Sequence, residues 1–189
     1  MAQPTPIRSL YDEYGPDAYY RDHAGHYANP HFPQVKALLE RNAGRLDLTH
    51  VLDFAAGGGE VTQVVRSMGA QEVTGCDPYT YALYEQQTGL RCLRHSFKDV
   101  LRGALAESRF SLIVSSFALH LCPPKDLYPL AWQLLQCAPL LVVITPHKRP
   151  DLGGYAGIGL LWEDEVLTER EKRVRIRASA VGAGRPSCR

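Results

Sequence analysis

The sequence predicts a doubly wound α/β domain, because strands and helices alternate, their connections are short and two strands finish the chain. Short apolar runs typical of buried strands alternate with segments whose apolar residues recur at helical spacing. The connections span a few residues, as in βαβ units that place helices on both faces of a mostly parallel sheet. Two strands then follow each other directly, which predicts a C-terminal antiparallel β-hairpin at one sheet edge.

The first half of the predicted domain alternates helices with strands. The predicted elements are, in order, a helix from Phe32 to about Gly44, a strand at 50–55, a helix ending at Gly69, a strand at 72–77, a helix ending at Gly89, a weaker strand at 91–97 and a short helix at 99–107. The glycines at the ends of these apolar stripes are typical helix terminators.

The second half carries the strongest strand signal and the predicted hairpin. The run 110–121 opens as a strand, the apolar stripe from Leu127 to Leu135 predicts a helix, and 139–146 predicts another buried strand. The segment 160–168 predicts a further strand. The alternation of Arg with Val and Ile at 173–179 is typical of a half-exposed strand, so the basic residues there are interpreted as a solvated face.

Length and composition suit one soluble domain of 189 residues. Hydrophobic residues make up 45% and charged residues 22%, which excludes a wholly disordered chain. The formal charge of +1 does not indicate a nucleic-acid or anionic membrane partner. The five cysteines form no CxxC pair, so we expect neither disulfides nor a metal site. No apolar leader or spanning-length segment is present, and we expect a cytoplasmic protein.

We divide the chain into three parts. Residues 1–31 have no regular period and predict an irregular arm, whose tyrosines serve either as a lid over the site or as packing. Residues 32–179 carry the alternating elements and form the predicted domain. Residues 180–189 mix small residues with arginine and predict a flexible tail.

A glycine-rich turn after the first strand is the first candidate for ligand binding. The run D-F-A-A-G-G-G-E-V-T, from Asp53 to Thr62, lets the backbone bend sharply and approach a ligand without a Cβ in the way. The next strand ends in Asp77, and an acid there can accept hydrogen bonds from both hydroxyls of a ribose. Ligands bind outside the carboxyl ends of such strands. The order of these features predicts an adenosine-type ligand.

Two classes of enzyme share this arrangement. A dinucleotide enzyme has G-x-G-x-x-G, but Thr62 occupies the place of the third glycine, so the fit is poor. The run V-L-D-F-A-A-G-G-G-E-V-T-Q-V-V resembles motif I of the class I S-adenosylmethionine-dependent methyltransferases, roughly V-L-D-x-G-x-G-x-G. In that register Asp53 matches the motif acid, and Gly57 and Gly59 match its second and third glycines. Ala55 stands in the place of the first glycine.

The resemblance continues from about position 50 to position 146 and implies further cofactor contacts. V-T-G-C-D-P resembles the family's second-strand motif, which implies cofactor contacts by Asp77, as the ribose ligand, and by Pro78. R-H-S-F-K-D-V places Ser96 and Phe97 where the adenine ring is usually bracketed. The family often has an acid at the place of Ser96.

The fourth and fifth predicted strands also resemble the family. F-S-L-I-V-S-S-F-A-L-H-L resembles the fourth-strand motif f-D-x-I-x-x-x-x-x-L-H, except that Ser111 replaces its acid. This match implies that three neighbouring residues lie beside the cofactor: Ser115, Ser116 and Phe117. L-L-V-V-I-T-P-H-K-R-P matches the fifth strand. The family's fold is a seven-stranded sheet with the last strand antiparallel, in agreement with the predicted hairpin.

The resemblance implies transfer of a methyl group from S-adenosyl-L-methionine to an acceptor. Catalysis then depends on proximity and orientation, with a general base needed only for a protonated acceptor. The candidate bases are His120, near the end of the fourth strand, and His147, just after the fifth.

The acceptor and two alternative functions stay open. The near-neutral charge favours a small-molecule acceptor over a polyanion, and the loops at 7–31 and 146–159 are the candidates for shaping its pocket. Ala55 and Ser111 keep open a non-catalytic member that binds the cofactor or a partner protein. A nicotinamide-dependent oxidoreductase is the other alternative, against which Thr62 argues.

Overall fold

The computed structural model of the protein describes residues 30–146 and 148–182. The helices are α1 (Phe32–Arg41), α2 (Glu60–Ser67), α3 (Tyr81–Thr88), α4 (Phe97–Leu101) and α5 (Pro124–Cys137). The strands are β1 (His50–Phe54), β2 (Glu72–Cys76), β3 (Cys92–Leu93), β4 (Leu112–Ser116), β5 (Leu141–Thr145), β6 (Ile158–Leu167) and β7 (Arg173–Val181). Short 3₁₀ turns cover Ala43–Arg45, Leu119–Leu121 and Leu152–Gly154.

The seven strands form one sheet in the order β3-β2-β1-β4-β5-β7-β6. Strands β1 to β5 pair in parallel, and β7 pairs antiparallel with both β5 and β6. The predicted fold class, a mostly parallel seven-stranded sheet ending in an antiparallel hairpin, is therefore confirmed. The strand order reverses between β1 and β4, and this reversal creates a crevice at the carboxyl ends of those two strands.

The sheet is covered on both faces, so its central strands are apolar on both sides. In β4, Leu112 and Val114 join one buried layer, whereas Ile113 joins the other. Helices α1 and α2 cover the first layer, with Leu38 and Val64 among their buried residues. Helices α4 and α5 pack together over the second layer. No helix within the described ranges is long and apolar enough to cross a membrane.

Several predicted boundaries are wrong by a few residues. The strand expected at 91–97 is reduced to β3, and the helix expected at 99–107 begins earlier as α4. The cause is a capping box in which Ser96 and Asp99 satisfy each other's backbone N–H groups. This cap starts the helix at Phe97, and Gly103, with a φ of 93°, follows its end. Strand β7 continues to Val181, beyond position 179.

The basic strand near the carboxyl terminus is largely neutralised by its neighbour. Arg177 Nε lies 3.2 Å from a carboxylate oxygen of Glu163, and Arg175 Nε lies 3.4 Å from one of Glu165. On α1, Arg41 contacts Asp164 at 2.8 Å, which fixes the helix against β6. The Arg175 and Arg177 side chains are only 15% and 14% exposed. The predicted solvated face is therefore largely covered at these two arginines.

Tyr84 of α3 is a fully buried aromatic side chain packed against β2. It has no exposed surface, and its ring lies directly over Gly75. A Cβ at Gly75 would overlap the ring, so only glycine lets the helix approach the strand this closely.

We expect the Gly75→Ala substitution to lower the free energy of unfolding by about 1–3 kcal/mol, because it overpacks the contact with Tyr84. The matched control is Gly44→Ala, which adds a Cβ into open space. The control should leave the unfolding free energy within about 1 kcal/mol of the unsubstituted chain. Urea unfolding measures both values. Equal stability of the two variants would show that the α3–β2 contact is not this close.

Candidate functional site

A cavity of about 340 Å³ opens where the strand order reverses, at the carboxyl ends of β1, β2 and β4. This volume lies in the range of small-molecule binding sites. The predicted site residues that line it are Ala55, Gly57, Asp77, Pro78, Ser96, Phe97, Ser116 and Phe117. The topology thus brings together residues that lie up to 62 positions apart in the chain, from Ala55 to Phe117.

The other predicted site residues do not line the cavity or lie outside the described chain. Asp53 and Ser115 are buried beneath it, and Gly59 lies at the start of α2. His120 lies in the 3₁₀ turn after β4, with its Nδ1 shielded from solvent. His147, most of the predicted arm and residues 183–189 lie outside the described residues.

The glycine-rich turn takes a left-handed backbone at three positions. The φ values are 58° at Ala55, 58° at Gly57 and 88° at Gly59. A Cβ at Gly59 would collide with Thr88 and press on the Tyr84 ring. This left-handed conformation costs Ala55 about 1–2 kcal/mol. The cost explains why methyltransferase motif I, which this turn resembles, has glycine at this position. The backbone N–H of Ala55 donates to the Cys76 carbonyl at 2.8 Å and ties the turn to β2.

Asp53 holds the turn from below. The Thr62 N–H donates to its Oδ2 at 3.0 Å, and the Thr62 hydroxyl lies 2.7 Å from the same oxygen. The Tyr84 hydroxyl lies 2.9 Å from Thr62 Oγ1 and extends the network to α3. Burial, only partly offset by these hydrogen bonds, raises the pKa of Asp53 to about 8. The carboxyl group of Asp53 thus positions the first turn of α2, and direct contact with a ligand stays a prediction.

Asp77 joins the glycine turn to the loop after β2. Its Oδ2 accepts from the Gly57 N–H at 3.1 Å, and its Oδ1 accepts from the N–H groups of Tyr79 and Thr80, each at 2.9 Å. A carboxylate has about four lone-pair sites, so three are used and one, on Oδ2, is available to a ligand. Asp77 therefore acts as a turn acid and still faces the cavity.

Ser96 and Phe97 form the wall built by the start of α4. The Ser96 hydroxyl donates to Asp99 Oδ2 at 2.6 Å and accepts from the Asp99 N–H at 3.2 Å. Its proton is therefore committed within the capping box. The Phe97 ring lies 5.7 Å from the ring of Phe54, centroid to centroid, and gives this wall an apolar surface.

The end of β4 forms the facing wall. Ser116 lines the cavity, and its hydroxyl is shielded from solvent and has no hydrogen-bond partner among the described residues. Ser115 is also buried without a partner for its hydroxyl there, and nothing in the structure explains it.

Phe117 combines a strained backbone with an aromatic contact. Its φ is 56°, which is rare for a bulky residue, and its N–H donates to the Ile144 carbonyl at 2.8 Å. The ring stacks on His31, with centroids 5.0 Å apart and an angle of 13° between the rings. Such strain at a cavity wall is typical of binding sites.

Sequence reasoning missed several lining residues: Leu101 at the end of α4, Leu121 and Pro123 in the connection after β4, and Asp126 in α5. Asp126 lies in the first turn of α5, ten positions beyond the end of β4 at Ser116. The hydrophobic periodicity of the α5 sequence does not indicate that Asp126 lines the cavity. Within residues 30–146 and 148–182, no three metal-ligating side chains lie together.

The raised pKa of Asp53 predicts a pH-dependent contribution to stability. Its folded pKa of about 8 lies above the unfolded value of about 3.9, so the folded chain holds one more proton between these limits. The stabilising contribution is complete below about pH 4 and declines as the pH rises towards 8. Asp53→Asn keeps an acceptor for Thr62 and removes the titration.

We therefore expect the stability of the unsubstituted chain, relative to Asp53→Asn, to fall by about 2 kcal/mol between pH 6 and pH 8. Urea unfolding at the two pH values measures it. A pH-independent difference for Asp53→Asn would contradict the raised pKa.

Comparisons with known proteins provide one relative and many similar folds. No family model matches the chain. A protein of Schizosaccharomyces pombe, the uncharacterized protein C17A5.05c, is 30% identical over 79% of this chain and 78% of its own length.

The solved structures are similar in fold and distant in sequence. Magnesium protoporphyrin IX methyltransferase of Synechocystis, solved with bound S-adenosylmethionine, has a TM-score of 0.66 at 13% identity, covering 96% of this chain and 100% of that one. The N-methyltransferase NodS of Bradyrhizobium japonicum, solved with S-adenosylhomocysteine, has a TM-score of 0.60 at 14% identity, covering 93% and 98%. A putative RNA methyltransferase of Pyrococcus horikoshii has a TM-score of 0.60 at 16% identity, covering 82% and 87%. The chain therefore has the class I methyltransferase fold and belongs to the family of the fission yeast protein.

Proposed function

We propose that the protein is an S-adenosylmethionine-dependent methyltransferase. The observation that carries the proposal is the cavity at the strand-order reversal, where Asp77 and the glycine-rich turn meet. Solved proteins of the same fold carry S-adenosylmethionine or S-adenosylhomocysteine. Because their sequence identity is low, these structures support the fold directly and the cofactor by analogy.

The cavity's own chemistry fits this cofactor. Asp77 has a free acceptor site for a ribose hydroxyl, and Pro78 lies next to it on the cavity wall. The turn at Ala55 and Gly57 offers backbone without bulky side chains for the methionine moiety. The Phe97 side chain supplies an apolar surface for the adenine ring, and the unpartnered Ser116 hydroxyl can bind a polar group of the cofactor.

The cofactor supplies an electrophilic methyl group on a sulfonium sulfur when it is bound. The protein then has to orient the cofactor and align an acceptor with that methyl group. Phe117, whose strained backbone is held by the stack on His31, provides a fixed wall for such alignment. Positioning by a rigid wall contributes more to catalysis here than a reactive side chain does, because the methyl group needs no further activation.

His120 and His147 remain the proposed general bases for a protonated acceptor. In the sequence, His147 comes two positions after Thr145, the last residue of β5. His120 follows β4, and its neighbour Leu121 lines the cavity. A base is required only if the acceptor carries a proton at the moment of attack.

We propose a small-molecule acceptor. The net charge of +1 and the pairing of Arg175 and Arg177 with glutamates leave little free positive charge on β7 for a polyanion. The proteins of similar fold act on a porphyrin in one case and on RNA, as a putative activity, in another, so the fold does not decide between these acceptors. Methyl transfer to RNA alone would contradict this part of the proposal.

The two alternative functions receive less support. Ser111, one of the departures from the motif, directly precedes β4, at the amino end of that strand. Its hydroxyl donates to the Asp47 carbonyl and accepts from the His50 N–H. That departure therefore does not touch the cavity. Thr62, which replaces a glycine of the dinucleotide motif, is committed to the network with Asp53 and Tyr84.

Isothermal titration with S-adenosylmethionine, S-adenosylhomocysteine and NAD tests the proposal. We expect both adenosyl compounds to bind and NAD to produce no heat of binding. The absence of binding by both adenosyl compounds at millimolar concentration would contradict the proposal, and binding of NAD alone would favour an oxidoreductase. Binding without turnover on a broad acceptor panel would favour a non-catalytic member.

We expect Asp77→Ala to weaken S-adenosylhomocysteine binding at least about tenfold, because a charged acceptor for the ribose is lost. The matched control is Glu72→Ala, which changes the first residue of β2, the strand that Asp77 directly follows. Thermal unfolding of both variants separates loss of binding from loss of fold. An unchanged affinity of a folded Asp77→Ala variant would remove Asp77 from the site.

A further inference from the structure

Part of the cavity lining is apolar, and the same cavity is lined by Asp126. Phe97 and Leu101 of α4 form one side, and Leu121 and Pro123 from the connection after β4 form another. Asp126, in the first turn of α5, lines the same cavity. The packing of α4 against α5 brings these two walls together.

Asp126 differs from the other lining carboxylate, Asp77, because its side chain makes no hydrogen bond to the described residues. Asp77 accepts three backbone N–H groups, as described above. The Asp126 side chain accepts no hydrogen bond and forms no ion pair with any residue in the described part of the chain, and it does not cap α5. It is only partly exposed. All of its acceptor sites are therefore available to a ligand in the cavity.

Ser96, the neighbouring polar residue on the cavity wall, has its hydroxyl group hydrogen-bonded within the capping box. Ser96 stands where the resembling family often has an acid, and its hydroxyl proton is bound to Asp99. The Asp99 carboxylate accepts from the Ser96 N–H at 2.9 Å and from the Ser96 hydroxyl, and Asp99 does not line the cavity. The start of α4 thus offers no free carboxylate to a bound base.

We propose that Asp126 selects the base of the cofactor by accepting a hydrogen bond from the exocyclic amine of adenine. The proposal rests on the proposed function and adds a specificity-determining residue on α5 to it. An ionised carboxylate only accepts hydrogen bonds, so it favours the 6-amino group and repels a 6-keto oxygen.

Lys98 is the competing candidate, because its side chain also lines the cavity. It forms no ion pair with Asp126 among the described residues, so the two groups do not neutralise each other. An ammonium group donates hydrogen bonds and would favour the keto oxygen of hypoxanthine over an amine. The two residues therefore predict opposite preferences for the base.

Calorimetry with S-adenosylhomocysteine and its 6-keto analogue, S-inosylhomocysteine, tests the proposal. We expect the unsubstituted protein to bind the adenine compound at least about tenfold more tightly. In Asp126→Asn the affinity for the adenine compound should fall about tenfold, and the two ligands should come within about threefold of each other, because an amide both donates and accepts. Asp and Asn side chains have nearly the same volume, so we expect this substitution to have little effect on stability.

Two further variants make the result specific. Glu107→Gln removes an exposed carboxylate that does not line the cavity and should keep the unsubstituted preference. Lys98→Met should also keep it. An unchanged preference in Asp126→Asn, or a preference lost in Lys98→Met instead, would overturn the role of Asp126. If the unsubstituted protein binds neither ligand, the methyltransferase proposal fails and this inference fails with it, whereas binding with an unchanged ratio contradicts this inference alone.

Discussion

The architecture of the site depends on two carboxyl groups that hold the glycine-rich turn from opposite sides. Asp53 fixes the first turn of α2 through Thr62, and Asp77 fixes Gly57 and the loop after β2. Both bonds go to backbone N–H groups that would otherwise lack partners at the mouth of a cavity. The turn can then keep its left-handed backbone, including the strained Ala55, without collapsing into the space where a ligand would bind.

Asp53, which supports the turn from within the protein, and Asp77, which lines the cavity, occupy different places in the site. Asp53 is buried beneath the turn, and its raised pKa is the consequence of leaving water. Asp77 and Ser116 lie on the cavity wall, and Asp77 keeps one acceptor site that no backbone N–H group uses. Asp53 therefore stabilises the turn through hydrogen bonds within the protein, independently of any contact with a ligand. We infer that the order of residues in the motif encodes the shape of the turn as much as its contacts.

Much of the fold could be predicted from the sequence, because buried parallel strands leave continuous apolar runs and α1, α2 and α5 each have one apolar face. The glycine turn and Asp77 could be predicted for the same reason, since both lie next to such strands. The start of α4 was harder to predict, because the Ser96–Asp99 cap overrides the apolar pattern that follows it. Asp126 could not be found at all, since its place depends on how α5 returns to the cavity. The cytoplasmic location and the acceptor stay predictions.

The most direct test of the account is a crystal structure of the protein with S-adenosylhomocysteine. We expect the nucleoside between the glycine-rich turn and Phe97, with a ribose hydroxyl within about 3 Å of an Asp77 carboxylate oxygen. The homocysteine part should extend towards Ala55 and Ser116, with open space beside the sulfur for an acceptor. A ligand bound elsewhere on the surface, or side chains that fill the gap between the turn and Phe97, would contradict the central claim.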